Sequence, residues 1–173
     1  SIVQARDSLL VTESLFGNVT EWLTVKVTIM SGLFENTGFN KNISSWNVSN
    51  VIDFRNMFKE ATSFNQDITG WVINSDKTVD MTSMFEGATS FGTTEFGIGD
   101  ENSYIKQILT NWVNLSNTTT TNIFKGLLLD DNSIISARDF WFQNPKIEIF
   151  GDVNEWLTVN VTNMSELFKL IPT

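Results

Sequence analysis

The sequence predicts a solenoid of short stacked coils, and three observations predict it. First, Trp22, Trp46, Trp112 and Trp156 are each followed twelve residues later by a phenylalanine, at Phe34, Phe58, Phe124 and Phe168; Trp71 reaches Phe85 after fourteen. Second, the phrase Phe39-Asn40-Lys41-Asn42-Ile43-Ser44-Ser45-Trp46 restarts 25 residues later as Phe64-Asn65-Gln66-Asp67-Ile68-Thr69-Gly70-Trp71. A period in this range marks an architecture in which each unit is too small to bury its own apolar side and is stable only against its neighbours. Third, apolar residues recur at fixed distances after each tryptophan: Val27, Val51 and Val161; Met30, Phe54 and Met164; Leu33, Met57, Ile123 and Leu167.

Each coil divides into two halves. The front half, such as Ile43-Ser44-Ser45-Trp46-Asn47-Val48, alternates or nearly so and is rich in β-branched residues, which favours a short strand that would pair in parallel with its neighbours. The back half places Phe54, Met57, Phe58 and Ala61 three and four apart, the spacing of a short helix or 3-10 turn. Small residues in Ala61-Thr62-Ser63 and Ala88-Thr89-Ser90 let the chain turn into the next coil. The expected core column is Trp22, Trp46 and Trp71, with Met30, Phe54 and Met81, and Phe34, Phe58 and Phe85. A buried indole needs a partner for its N–H, and a backbone carbonyl of the neighbouring coil would serve.

The repeats are unequal. The third carries two extra residues around Asn74-Ser75-Asp76-Lys77, placed in an exposed bulge. The fourth is degenerate, with Asn117 and Thr120 where Val and Met are expected, and an inserted loop over 93–103 precedes it. The stretch from Phe16 to Phe34 matches that from Phe150 to Phe168 at 14 of 19 positions, and Ala5-Arg6-Asp7 echoes Ala137-Arg138-Asp139. The expected organisation is therefore an N-terminal cap over 1–15 and a right-handed array over 16–132. A second cap and the first repeat of a second, truncated array follow over 133–173. Further modules in the natural protein are expected, and the chain, which does not begin with Met, reads as a processed product or a piece of something longer.

Composition narrows the function. Hydrophobic residues make up 41% of the chain, too many for disorder. The net charge of −9, from 11 basic and 20 acidic residues, argues against nucleic acid and against anionic membranes as partners. With no cysteine there is no disulfide framework, and with no histidine the commonest general base and transition-metal ligand is missing. No apolar run approaches the ~20 residues of a membrane span.

The phrase Trp46-Asn47-Val48-Ser49-Asn50-Val51 through Met57-Phe58, followed by Ala61-Thr62-Ser63-Phe64-Asn65-Gln66-Asp67-Ile68, resembles the DUF285 repeats of mycoplasma-type surface proteins, related to BspA-like leucine-rich repeats. The resemblance covers residues 16–92 and 150–168. It implies a leucine-rich-repeat-like solenoid with Phe and Met in place of many leucines. It brings no catalytic residue set with it.

The tryptophans could stack on sugars, but their repeat offset among Val, Met and Phe places them in the core. Asn40, Asn65 and Asp67 stand near turns, where such side chains bond the backbone and form ladders between coils. Calcium would need oxygen ligands; Gly99-Asp100-Glu101-Asn102-Ser103 and Asp130-Asp131-Asn132 are the oxygen-rich stretches, and neither has the pattern of a known calcium loop. Asp67, Asp80, Asp100 and Glu101 show no spacing that makes a catalytic carboxylate pair. Seven Asn-x-Ser/Thr sequons, at Asn18, Asn42, Asn47, Asn114, Asn117, Asn160 and Asn163, largely follow the repeat. The run Thr118-Thr119-Thr120-Thr121 would suggest ice binding only if every coil had one.

No catalytic, cofactor or metal site is expected. The expected function is that of a non-catalytic repeat module for protein or glycan recognition in an extracellular or surface protein. The alternative is a structural component of a filament, surface coat or virion, in contact with copies of itself. The variable segment 93–132 discriminates the two: if it is a binding loop, its deletion should abolish ligand capture and leave self-association intact.

Overall fold

The computed structural model describes residues 17–92, 117–130, 151–152 and 156–164, with single positions at 108, 111, 112, 134, 138 and 149. The expected cap over 1–15 and the loop over 93–103 lie outside the described residues, as does most of the second cap.

The described chain opens with a 3-10 turn, Val19–Glu21, capped by Asn18, whose side chain accepts the Thr20 N–H at 3.1 Å. Strand β1, Val79–Asp80, pairs in parallel with β2, Thr118–Thr119. Parallel bridges join Ile29 to Asp53 and Asp53 to Asp80, so one ladder runs Ile29, Asp53, Asp80, Thr119 across successive coils. A second parallel pair, β3 (Leu128–Asp130) with β4 (Leu157–Asn160), attaches the last described segment.

The ladder lies further along each coil than the alternation at Ile43 to Val48 implied; that stretch bends rather than pairs. The reason is local. Asn42 and Asn47 each turn the chain by accepting the N–H two residues on, at Ser44 and Ser49, and a chain turned twice in eight residues cannot stay extended.

Nor does the back half form a helix. In residues 54–61 the N–H groups of Phe54, Asn56, Phe58 and Glu60 point to the next coil, donating to the carbonyls of Asp80, Thr82, Met84 and Glu86 at 2.7–3.1 Å. Those of Met57, Lys59 and Ala61 stay local, closing three-residue steps onto Phe54, Asn56 and Phe58. Arg55 N–H goes to the Asp53 carboxylate. The remaining carbonyls, of Arg55, Met57 and Lys59, receive the N–H groups of Gly32, Phe34 and Asn36 from the coil before. Every N–H of the segment thus has a partner, half of them in the next coil. A helix would spend all of them along its own axis and leave nothing to join coils.

The local steps are β-turns, and two in each coil carry a positive φ at the third residue, as type II turns require. Gly32, Asn56, Ser83 and Asn122 form one such column, and Asn36, Glu60, Gly87 and Gly126 the other, with φ between 54° and 73°. Glycine suits these positions because it lacks the Cβ that disfavours the left-handed region. At Gly87 an added Cβ would also press on the Glu60 carboxylate one coil below, the end of a flexible side chain that would have to move aside.

The core is a stack of aromatic columns. Phe34, Phe58, Phe85 and Phe124 stack with centroids 5.6, 5.5 and 5.6 Å apart. Beside them Phe39, Phe64 and Phe91 form a second column, each ring 3.6–4.2 Å from its partner in the first. Parallel strands are spaced ~4.8 Å apart, so equivalent rings are forced into the offset stacking that aromatic quadrupoles favour. Trp46, Trp71 and Trp112 are buried; Trp22, in the first coil, is only partly covered. The Trp46 indole donates to the Val19 carbonyl at 3.0 Å, and that of Trp71 to the Ile43 carbonyl at 3.2 Å.

The irregular coils are accommodated by asparagine amides. Ser75, Asp76 and Lys77 are exposed, and Asn74 anchors them by accepting the N–H of Asp76 and of Lys77. Asn117, which breaks the apolar pattern, donates its amide to the carbonyls of Asn74 and Lys77. Thr120 is buried in the column of Met30, Phe54 and Met81.

Phe58→Ala should lower unfolding free energy by ~3–5 kcal/mol, whereas Lys41→Ala should stay within ~0.5 kcal/mol; urea unfolding followed by tryptophan fluorescence measures both. Gly87→Ala should cost ~1–2 kcal/mol through its left-handed backbone, and more with Glu60 present than in a Glu60→Gly background.

Candidate binding face

The ladder generates a face. Along each coil the side chain before the buried Met30, Phe54, Met81 and Thr120 points out, and so does the one after, because successive residues of an extended chain alternate sides. One outward column is Ile29, Asp53, Asp80 and Thr119; the next is Ser31, Arg55, Thr82 and Thr121. A third, following the phenylalanines, is Glu35, Lys59, Glu86 and Lys125, which alternates in sign.

At the centre stand Asp53, Arg55 and Asp80. The bridge between Asp53 and Asp80 sets two carboxylates on neighbouring coils, an arrangement that repels. Arg55 relieves it. Its Nη2 lies 2.7 Å from Asp53 Oδ2 and its Nε 3.0 Å from Oδ1, with Asp80 Oδ2 at 3.8 Å. This fork-to-fork geometry fixes the guanidinium plane, while the Arg55 side chain stays 55% exposed against 14% for Asp53. The Arg55 side-chain hydrogen bond holds the Asp53 carboxyl below its ordinary value of 3.8, opposed by partial burial and aided by the Arg55 N–H and by Ser31. Lys59 and Glu86 form a further ion pair across coils at 3.3 Å.

Of the residues singled out in the sequence, Asp80, Thr119 and Thr121 lie on this face and the others fall elsewhere. Asn40 accepts the Asn65 N–H at 2.9 Å and the Gln66 amide at 2.8 Å; Asn65 in turn accepts the Gly92 N–H at 3.0 Å. They are a ladder between coils. Asp67 turns its own backbone by accepting the N–H and hydroxyl of Thr69. Asp100, Glu101, Asn102, Asp131 and Asn132 lie outside the described residues. Asp130 ends β3. Thr119 faces Asp80, and Thr121 faces Thr82 in a column that continues as Arg55 and Ser31, so no threonine row runs through every coil. Among the described residues no group of three or more acidic side chains gathers as metal ligands, and no helix is long and apolar enough to cross a membrane.

Asp53 and Arg55 were missed because the two extra residues of the third coil hide the register when counting from tryptophan. Counting back from Phe58 and Phe85 places Asp53 and Asp80 at the same step.

A lowered carboxyl makes the stability of this cluster acid-sensitive. The contribution is fully present above 3.8 and is lost as pH falls through the lower folded value. Between about pH 5 and about pH 2, Arg55→Ala should show a smaller loss of thermal midpoint than wild type; equal slopes would unlink the pair from acid unfolding.

The protein-family comparison gives a match to the model described as Mycoplasma protein of unknown function, DUF285, over residues 6–127 and 136–172. No curated protein and no solved structure matches the chain. The matched segments take in nearly the whole sequence, and the chain belongs to the DUF285 family.

Proposed function

We infer that this chain is a non-catalytic recognition module of an extracellular or surface protein, built as a leucine-rich-repeat-like solenoid, and that the ladder face is what it presents to a protein or glycan partner. The observation that carries this reading is the division of labour along the ladder. Inward side chains are apolar apart from Thr120, whereas outward ones are polar apart from Ile29, vary along each column, and meet at an arginine held in a fixed plane. Stacked repeats commonly bind through such a repeated face, and Arg is among the residues that dominate binding energy at interfaces. Ile29 and Ile52, exposed on the same coils, add apolar area beside the charges.

Asp53 is a poor candidate for a general acid: that role needs a raised pKa, and Asp53 is shifted the other way by Arg55.

The test is binding of the purified chain to glycan arrays and to a panel of extracellular proteins, with Arg55→Ala and Thr82→Ala compared with wild type. Loss of an interface arginine should weaken capture by roughly tenfold or more. Undiminished capture by both variants would remove the ladder face from the reading. Light scattering over a concentration series belongs with it: a constant monomer mass is expected, and growth of mass with concentration would favour an assembly component instead.

A further inference from the structure

The sequons are the one sequence motif that the ladder face does not absorb, and the structure divides them. Asn18, Asn42 and Asp67 occupy one column, four residues before each tryptophan and immediately before the turn that leads into it. In all three the side-chain oxygen accepts the backbone N–H two residues on, at Thr20, Ser44 and Thr69, at 2.9–3.1 Å. Asn47 does the same to Ser49 N–H at 3.1 Å and also accepts the Ser49 hydroxyl at 2.7 Å. The turn uses only the oxygen. Asp67 shows that a carboxylate performs the same service, so the amide nitrogen of Asn18, Asn42 and Asn47 has no structural duty among the described residues. All three asparagines are exposed.

Asn117 is the opposite case. It is half-buried, and its amide nitrogen is the group the fold uses, donating to the carbonyls of Asn74 and Lys77 to hold the bulge of the third coil against the fourth.

We propose that Asn18, Asn42 and Asn47 are acceptor sites for N-linked sugar on the folded protein, and that Asn117 is withheld from modification by the fold. The co-substrate class is a nucleoside diphosphate sugar. A bond forms between Nδ2 and the sugar C1 as the bond from C1 to the diphosphate oxygen breaks; the nucleoside diphosphate leaves with that electron pair, and Nδ2 releases a proton. At the three exposed sites the turn keeps its carbonyl acceptor throughout, because the oxygen is untouched and the amide remains an amide. At Asn117 the same reaction would first have to break both hydrogen bonds of the nitrogen.

The folded full chain would be incubated with a soluble asparagine glycosyltransferase and a nucleoside diphosphate hexose, and occupancy mapped per site by mass spectrometry. Occupancy at Asn18, Asn42 and Asn47 should exceed that at Asn117 by about tenfold or more, the scale of two hydrogen bonds that must be given up. Asn117 modified as readily as the others, or none of the three modified, would overturn the proposal. In the urea-unfolded chain Asn117 should rise to the level of the others; if it stays low, its exclusion comes from the enzyme and not the fold. Asn42→Asp should abolish modification at that site with an unchanged urea midpoint, since Asp67 already fills the equivalent turn. A lowered midpoint would mean that the Asn42 amide nitrogen serves the structure after all.

Discussion

The constraint on which this structure depends is the alternation of its backbone hydrogen bonds. Through each back half, one N–H closes a turn and the next reaches the neighbouring coil. A polypeptide in a compact structure must satisfy nearly all such groups, and this alternation does so while serving two purposes at once. The local bonds fold the segment into consecutive turns. The others fasten one coil to the next at the spacing of parallel strands. Neither set suffices alone, which is why a single coil has no reason to be stable in isolation.

The aromatic columns follow from that spacing. Once Phe34, Phe58, Phe85 and Phe124 are held at equivalent steps, their rings meet at about 5.5 Å whatever else happens. Large flat side chains fill such a column without gaps, and each buries substantial apolar area. The tryptophans do this and add a tie: the Ile43 carbonyl accepts both the Trp46 N–H of its own coil and the Trp71 indole of the next. One carbonyl thereby closes a local turn and joins two coils. Left-handed residues are the cost of the geometry. The chain accepts Asn, Ser and even Glu there, where type II turns need a positive φ.

The polar surface obeys the same repetition. A residue type placed once in the repeat appears in a column, so identical charges would stack on each other. The chain avoids this in two ways. The column after the phenylalanines alternates in sign, and the stacked Asp53 and Asp80 have Arg55 between them. An isolated exposed ion pair contributes little to stability. Here the pairing matters more for removing a repulsion that the ladder itself creates. It also leaves an arginine fixed in orientation on the surface.

The sequence by itself determined the repeat, its period, the buried identity of Trp46, Trp71, Phe58 and Phe85, and the indole's need for a neighbouring carbonyl. These follow from side-chain size and offset, which are written in the chain. It also marked Asn40, Asn65 and Asp67 as turn and ladder residues, since short polar side chains bond nearby backbone. What only the tertiary structure decided was the path of the backbone between those anchors. The three-and-four spacing of Phe54, Met57, Phe58 and Ala61 suits a helix when read along one coil, but consecutive turns also bring such residues to one side, and only the presence of neighbouring coils makes the turns better by giving half the N–H groups a partner. The meeting of Asp53, Arg55 and Asp80 was hidden for a related reason. It depends on the register between coils, and two extra residues in the third coil shift the count in sequence while backbone pairing restores it in space.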